Sequence, residues 1–272
     1  MSQPSNYLPP PNLRSFIANY GVLEVPEGVK EPYLSPPIGL SGFIIQVINS
    51  QNIVIAKIGN RDFFSESAVV TGQVTLPVYG ELLGHTKSLL VFFQPTGMHR
   101  LFRNDMSKLT NHAIPLQALI GKEASNHLLE KLKMDQNTER QIGVLNQFFV
   151  GCLPAQKEDG RFEEVLAMIH ERQGGITVKE IEKQCHYQRK TLERHFQKMI
   201  GLSPKVYIQI YQFKCLLNFL QSNPKITWTE LANKTGYYDQ SHMSRYFKEY
   251  LQTSPNSIVK LDMDLIHYLL RH

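Results

Sequence analysis

The chain has 272 residues, 42% of them hydrophobic, which suits two domains of ordinary size, each able to bury its own core. Its formal net charge of +5 is unevenly placed: residues 1–160 hold 13 Lys and Arg against 13 Asp and Glu, whereas 161–272 hold 16 against 11. An excess on one half is expected of a domain that meets phosphates, a solvated basic face being the plainer alternative.

Cys152, Cys185 and Cys215 are an odd number at wide spacing, so neither a disulfide framework nor a zinc pattern is expected, and a reducing cytoplasm suits them. No apolar stretch approaches the ~20 residues of a membrane span. The start MSQPSNYLPPPNLRSF lacks a basic beginning followed by an apolar run, so it does not read as a secretory signal. A cytoplasmic protein with no membrane partner is expected.

Residues 1–12, with Pro4, Pro9, Pro10 and Pro11, read as an extended arm over the surface. From about 38 to 97 the chain is strand-like. Segments 43–48, 52–58, 67–71 and 89–94 are rich in β-branched and aromatic residues, with turn signals between them. Short strands at this spacing predict a small barrel or sandwich. Phe43, Ile45, Val47, Val54, Val91 and Phe93 alternate in part with polar residues, giving a curved sheet with one face to bury. That face either encloses a single ligand or is filled by side chains.

Helices follow from about 105 to 152. Segment 106–109 is short, 115–120 makes one or two turns, and 123–132 is amphipathic. Thr138 with Gln141 reads as a capping box opening a helix to about Cys152, with Ile142, Leu145, Phe148 and Phe149 on its apolar face. This helix packs within its own domain or against a second copy of the chain. Residues 154–160 are polar and end in Gly, so the linker falls there, between a first domain at 1–153 and a second at 161–272.

The second domain opens with a helix over 161–172, ended by Gly174-Gly175, and then contains one unit twice. The first copy reads ITVKEIEKQCHYQRKTLERHFQKMIGLSP and the second ITWTELANKTGYYDQSHMSRYFKEYLQTSP. Thr177 and Ile181 correspond to Thr227 and Leu231. Past one inserted residue, Arg194, Phe196 and Pro204 correspond to Arg245, Phe247 and Pro255. Each copy starts with a capping box, Thr177 with Glu180 and Thr227 with Glu230. A short turn and a polar helix follow, which is the helix-turn-helix pattern. Ser203-Pro204 begins a helix joining the copies, and Val206, Ile210, Phe213, Leu217 and Leu220 form its buried stripe. Ser254-Pro255 begins the last helix in the same way.

Residues 161–260 resemble the DNA-binding domain of the AraC/XylS transcription regulators, most specifically over the run Gly236 to Lys248, GYYDQSHMSRYFK. Met243 stands where the family usually has Phe, Gln252 where it prefers Gly, and His186 where the first turn often has Gly. The last two departures leave a slightly strained turn. The stretch FQPTGMHRLFRNDMSKLTNHAIPLQALIG also looks like the sensor-side module that often precedes this domain in bacterial regulators.

In the first polar helix Leu192 and Phe196 face the core, leaving Arg189, Lys190, Glu193, Arg194 and His195 outside. The resemblance places Lys190, Glu193 and Arg194 at groove-contacting positions. Arg194 suits a guanine edge and Lys190 a phosphate, while Glu193 either accepts from cytosine or restrains a neighbouring Arg. In the second, Met243 and Phe247 point inward, while Gln240, Ser241, His242 and Arg245 point out. Gln240 suits adenine and Arg245 guanine. Ser241 caps the helix or meets phosphate, and His242 reads the groove or is simply solvated. Trp228 is read as a packing or phosphate-side residue and Tyr237 as core.

The fold expected is α+β: a strand-rich, barrel- or sandwich-like N-terminal domain with helices, then an all-α domain of two helix-turn-helix units joined by a long helix. The function expected is sequence-specific DNA binding and transcription regulation, controlled through the N-terminal domain. The alternative makes that domain a small-molecule enzyme, a binding module or a protein-interaction domain, with DNA binding secondary. Partners are double-stranded DNA at two adjacent major grooves, with RNA polymerase, a small-molecule effector and a second copy of the chain as further candidates.

No G-x-S-x-G, P-loop, dinucleotide glycine pattern or H-E-x-x-H occurs, so no catalytic residue is expected. His85, His99 and His112 lack ligand spacing, so neither a metal nor a cofactor is expected. DNA-repair alkyl-transfer proteins that share this domain need clustered N-terminal cysteines, and every cysteine here lies at 152 or beyond.

Overall fold

A computed structural model describes residues 5–49, 55–59, 61–64, 67–155, 160–260 and 266. Strands begin much earlier than position 38. The strands β1 (Ser5–Tyr7), β2 (Ile17–Val25) and β3 (Lys30–Ser35) precede β4 (Gly42–Asn49), β5 (Ile55–Ile58), β6 (Arg61–Phe64), β7 (Ala68–Thr71), β8 (Val78–Leu83) and β9 (Thr86–Phe93). A short β10 (Ala113–Pro115) follows later. They form two sheets, one ordered β1-β2-β9-β4-β7-β10 and one ordered β3-β8-β5-β6, with every pairing antiparallel.

The described part of the N-terminal arm is therefore not a loose cover. Its β1 pairs with β2 at the sheet edge, and Leu13 is buried. Strand β2 escapes the sequence pattern because it is buried on both faces, which removes the polar alternation of a half-exposed strand. Strand β3 carries Pro32, which is tolerated because β3 lies at the edge of its sheet. Strand β8 carries Gly80 because the Tyr33 ring lies over that position. A Cβ there would meet Tyr33 Cε1 at 2.2 Å.

One face of the six-stranded sheet is covered by helices. Phe43 of β4 and Phe93 of β9 meet Phe102 of α1 (Gly97–Phe102) and Phe149 from a later helix, with ring centroids 5.6–6.3 Å apart. The expected interior residues Phe43, Ile45, Val47, Val91 and Phe93 all lie in this core. Val54 falls outside the described residues. On the opposite face Phe92 packs with Ala18, Leu40, Leu90 and Tyr33, so the two sheets meet there.

The covering helices are α2 (Leu116–Ile120), α3 (Lys122–Met134) and α4 (Thr138–Gly151), with a 3-10 turn at Met106–Leu109. The start of α4 differs from the expected capping box. Asn137 is the cap, its Oδ1 accepting from Arg140 N at 3.0 Å. Thr138 Oγ1 instead accepts from the buried Lys87 Nζ at 2.8 Å, and Lys87 also reaches Gln136 O and Glu24 Oε1. Gln141 is buried and donates to Leu132 O and Asp135 O. Tertiary partners outcompete the local motif at this helix start.

The helical region comprises α5 (Arg161–Glu171), α6 (Val178–Gln184), α7 (Arg189–Met199), α8 (Pro204–Ser222), α9 (Trp228–Lys234) and α10 (Gln240–Leu251), then a 3-10 turn at Pro255–Lys260 in place of the expected last helix start. Both capping boxes of the repeat form: Thr177 N donates to Glu180 Oε2 at 2.8 Å and Thr227 N to Glu230 Oε2 at 3.1 Å. Helix α8 is buried on more than the expected stripe, since Tyr207, Ile208, Lys214 and Leu216 join Ile210, Phe213 and Leu217 inside, while Val206 and Leu220 are half-buried. It serves as the common core of both units. No helix among the described residues is long and apolar enough to cross a membrane.

The two turns flagged in sequence are strained. His186 and Gln252 adopt φ of 52° and 51°, the left-handed region where the other copy uses glycine at the corresponding position, Gly236 at 76° and Gly201 at 96° respectively. A side chain there costs about 1–2 kcal/mol, partly offset by the greater unfolded-state freedom that glycine brings. His186→Gly and Gln252→Gly are each expected to stabilise the chain by about 0.5–1 kcal/mol. Urea melts of the two variants check this, and a lower midpoint for either would show the side chain makes a compensating contact.

The two regions meet along a seam. Ile38 belongs to the helical core, and Gly39 sits beside Tyr207 and Ile210 of α8. Thr110 Oγ1 donates to Gly201 O just past α7, and a Cβ on Gly201 (φ 96°) would lie 2.7 Å from both Met106 O and Thr110 Oγ1. Thr96 Oγ1 donates to Glu163 Oε1 at 3.1 Å, and Arg100 Nη1 lies 3.8 Å from the same oxygen.

Candidate nucleic-acid interface

Each unit presents a polar helix whose inner side is pinned by aromatics. Helix α7 buries Leu192 and Phe196, and α10 buries Met243, Tyr246, Phe247 and Tyr250. The outer positions are then set by helical geometry, three to four residues apart.

On α7, Arg189 and Lys190 are exposed in the first turn and Arg194 is exposed one turn later. Arg189 Nε lies 3.1 Å from Glu193 Oε1, so Glu193, half-buried, is engaged with a neighbouring Arg in the free protein. Arg194 makes no ion pair among the described residues. His195 is not on the outer face: it is half-buried, edge-on to Phe162 at 5.8 Å and to Tyr187 at 5.7 Å.

On α10, Gln240, Ser241 and Arg245 are exposed. Asp239 caps the helix, its Oδ1 accepting from His242 N at 2.7 Å, so Ser241 is not needed as a cap and stands free in the first turn. Gln240 Oε1 accepts weakly from Thr229 Oγ1 at 3.4 Å. The Arg245 guanidinium lies 5.5 Å from the Tyr246 ring centroid, which restrains it without neutralising it. His242 turns inward, half-buried with its ring edge-on to Tyr237 at 5.5 Å and Tyr246 at 5.4 Å. Tyr237 is buried, as expected of a core residue, and Trp228 packs on Phe247 while its Nε1 donates to Asn256 Oδ1.

The sequence reading missed Tyr238, which is 90% exposed directly before the α10 cap. The signal was the one-residue insertion between the copies.

The charge states of the groups around the two units follow from their local contacts. Glu180 and Glu230 are held below the usual carboxylate range by the hydroxyl and amide hydrogen bonds of their threonines, so both remain charged caps. Burial pushes His170 down to about 4, with Lys214 adding to the effect, so His170 is neutral at pH 7 and adds nothing to the basic face. Lys214 is itself buried and pushed down to about 8. Burial raises the thiols of Cys152, Cys185 and Cys215, which marks them as packed rather than reactive groups. Among the described residues no group of three or more His, Cys, Asp or Glu is placed to hold a metal.

A Helix-turn-helix domain family matches residues 166–260, and a Domain of unknown function (DUF6597) matches residues 5–115. The chain is 33% identical over 98 residues to the Msm operon regulatory protein of Streptococcus mutans, an alignment covering 36% of this chain and 35% of that protein. The chain thus spans about a third of the length of this curated relative. Among solved structures, ToxT from Vibrio cholerae is 11% identical, with 94% of this chain and 98% of that chain covered and a TM-score of 0.48. The AraC-like transcriptional activator CuxR is 15% identical, with 81% and 87% covered and a TM-score of 0.35.

Proposed function

We propose that residues 166–260, which a helix-turn-helix domain model matches, act as a DNA-binding domain of AraC type and that the chain reads duplex DNA with both of its units, in two adjacent major grooves. The observation that carries this reading is the equivalent placement of exposed Arg194 and Arg245 on two helices joined by one continuous helix. At ~1.5 Å per residue the 19 residues of α8 span about 28 Å, close to the ~34 Å between successive grooves on one face of the duplex.

Arg194 and Arg245 would take guanine edges bidentately, and Gln240 an adenine edge. Lys190 and Ser241 would meet phosphate and fix register. Glu193 would hold Arg189 rather than accept from cytosine, since that pair already exists in the free protein. His242 would support α10 from within, between its two tyrosines. Recovery and sequencing of fragments bound from sheared genomic DNA tests the proposal. A common motif is expected, and no enrichment over input would overturn it.

The strand-rich region would form a unit of its own, separated at 154–160, and act on DNA binding through the seam. Its contact with the end of α7 at Gly201 and with α5 at Glu163 supports this route. The double variant Thr110→Val, Glu163→Ala removes both polar ties, and DNA affinity is expected to change about fivefold. Fluorescence anisotropy with a recovered fragment measures it. An affinity equal to that of the unsubstituted chain would separate the seam from DNA binding. A small-molecule effector would act by binding the two seam states unequally. RNA polymerase and a second copy of the chain would bind at surfaces outside both recognition helices.

A further inference from the structure

The two units are not equivalent at the end that enters the groove. In the first, Tyr187 packs edge-on against His195 just ahead of the cap residue Gln188. In the second, Tyr237 packs edge-on against Tyr246, the counterpart of His195, with centroids 5.5 Å apart. Tyr187 and Tyr237 thus occupy the same structural place, one residue before Gln188 but two before the cap Asp239. The inserted residue is Tyr238. Its ring touches nothing that would bury it, at 90% exposure the most exposed of the large apolar side chains among the described residues.

The chemistry around it also differs. The first turn of α7 offers two cations, Arg189 and Lys190, whereas that of α10 offers Gln240 and Ser241 behind the Asp239 carboxylate. The groups flanking that carboxylate, Tyr238, Gln240 and Ser241, are neutral, so contacts at this helix start are apolar or hydrogen-bonded rather than ionic. N-terminal residues of a recognition helix are those that contact base edges. Among the four bases, only thymine shows an apolar group, its 5-methyl, in the major groove.

Resting on the DNA-binding reading above, we propose that Tyr238 is a specificity-determining residue whose ring packs against a thymine methyl in the second half-site. The first unit then meets DNA at its helix start with cations, and the second there selects an A·T-containing step through Tyr238 with Gln240, beside the guanine contact of Arg245.

The test is a double cycle in the full chain. Tyr238→Ala and Tyr238→Phe are compared on a fragment recovered with the unsubstituted chain and on copies in which single thymines are replaced by uracil, which removes only the methyl. Because Tyr238 lies in solvent, both variants should melt with the unsubstituted chain. Tyr238→Ala is expected to lose about tenfold in affinity, as a good edge contact gives. Tyr238→Phe should bind normally. One uracil in the second half-site should weaken the unsubstituted chain and Tyr238→Phe while leaving Tyr238→Ala unchanged. Equal losses for Tyr238→Phe and Tyr238→Ala would mean a hydroxyl contact to phosphate and overturn the methyl assignment. Normal binding by Tyr238→Ala would overturn any contact. A failure of the unsubstituted chain to bind any fragment specifically would instead overturn the DNA-binding reading itself.

Discussion

Affinity of the chain for its DNA is expected to fall roughly 10³- to 10⁵-fold between 50 and 200 mM salt, the response of a protein that neutralises 6–10 phosphates. The cations to do so are present in the helical region, where Lys and Arg exceed Asp and Glu by 16 to 11 and where Arg189, Lys190, Arg194, Lys198, Arg245 and Lys248 are exposed on or beside the two polar helices. Release of condensed counterions, not pairwise contact strength, sets the slope, so it should appear with unrelated duplexes as well as with the selected fragment. The neutral His170 and the buried Lys214 contribute nothing to it. Anisotropy titrations at stepped potassium chloride measure the slope. A flat response would mean that the basic excess is an ordinary solvated face.

The second large effect concerns base reading. Arg194→Ala and Arg245→Ala are each expected to cost about 1–3 kcal/mol of specific binding and to relax base preference in one half-site only. The two positions belong to separate units, so their costs should add to within about 0.5 kcal/mol in the double variant. Lys190→Ala serves as the contrast: it should weaken all sequences alike and lower the salt slope by about 1. Binding measured on the selected fragment and on single-base variants of each half separates these patterns. Unchanged affinity and preference in both arginine variants would remove the groove assignment.

The helical region was legible in the sequence because its determinants are local. The capping boxes at Thr177 and Thr227, the Ser203-Pro204 start and the spacing of Leu192 and Phe196 each act within one or two turns. The strained turns at His186 and Gln252 were legible only through the family resemblance, as departures from its glycines. Sheet structure was legible only where strands are flanked by clear turns, as at β4, β5, β7 and β9. Strand β2 was hidden by burial on both faces, and the Gly80 in β8 makes sense only once Tyr33 is seen above it. The Thr138–Gln141 pattern misled because Lys87, some fifty residues away, claims the threonine hydroxyl.

At the interface, the outward arginines, Gln240 and Ser241 were legible from helical spacing. The inward turns of His195 and His242 were not, because they depend on rings contributed by Phe162, Tyr187, Tyr237 and Tyr246. The seam had no sequence signal at all. It rests on a glycine at 201 that admits Met106 and Thr110 from a segment about ninety residues earlier.

The claim that both units read DNA at once is tested most directly by hydroxyl-radical footprinting of the full chain on a recovered fragment. The expected result is two protected patches on one face of the duplex, about one helical turn or 10–10.5 base pairs apart. The first patch should fade in Arg194→Ala and the second in Arg245→Ala. A single patch that is unchanged by one of the two substitutions would contradict the account, because one helix-turn-helix unit would then be structural only.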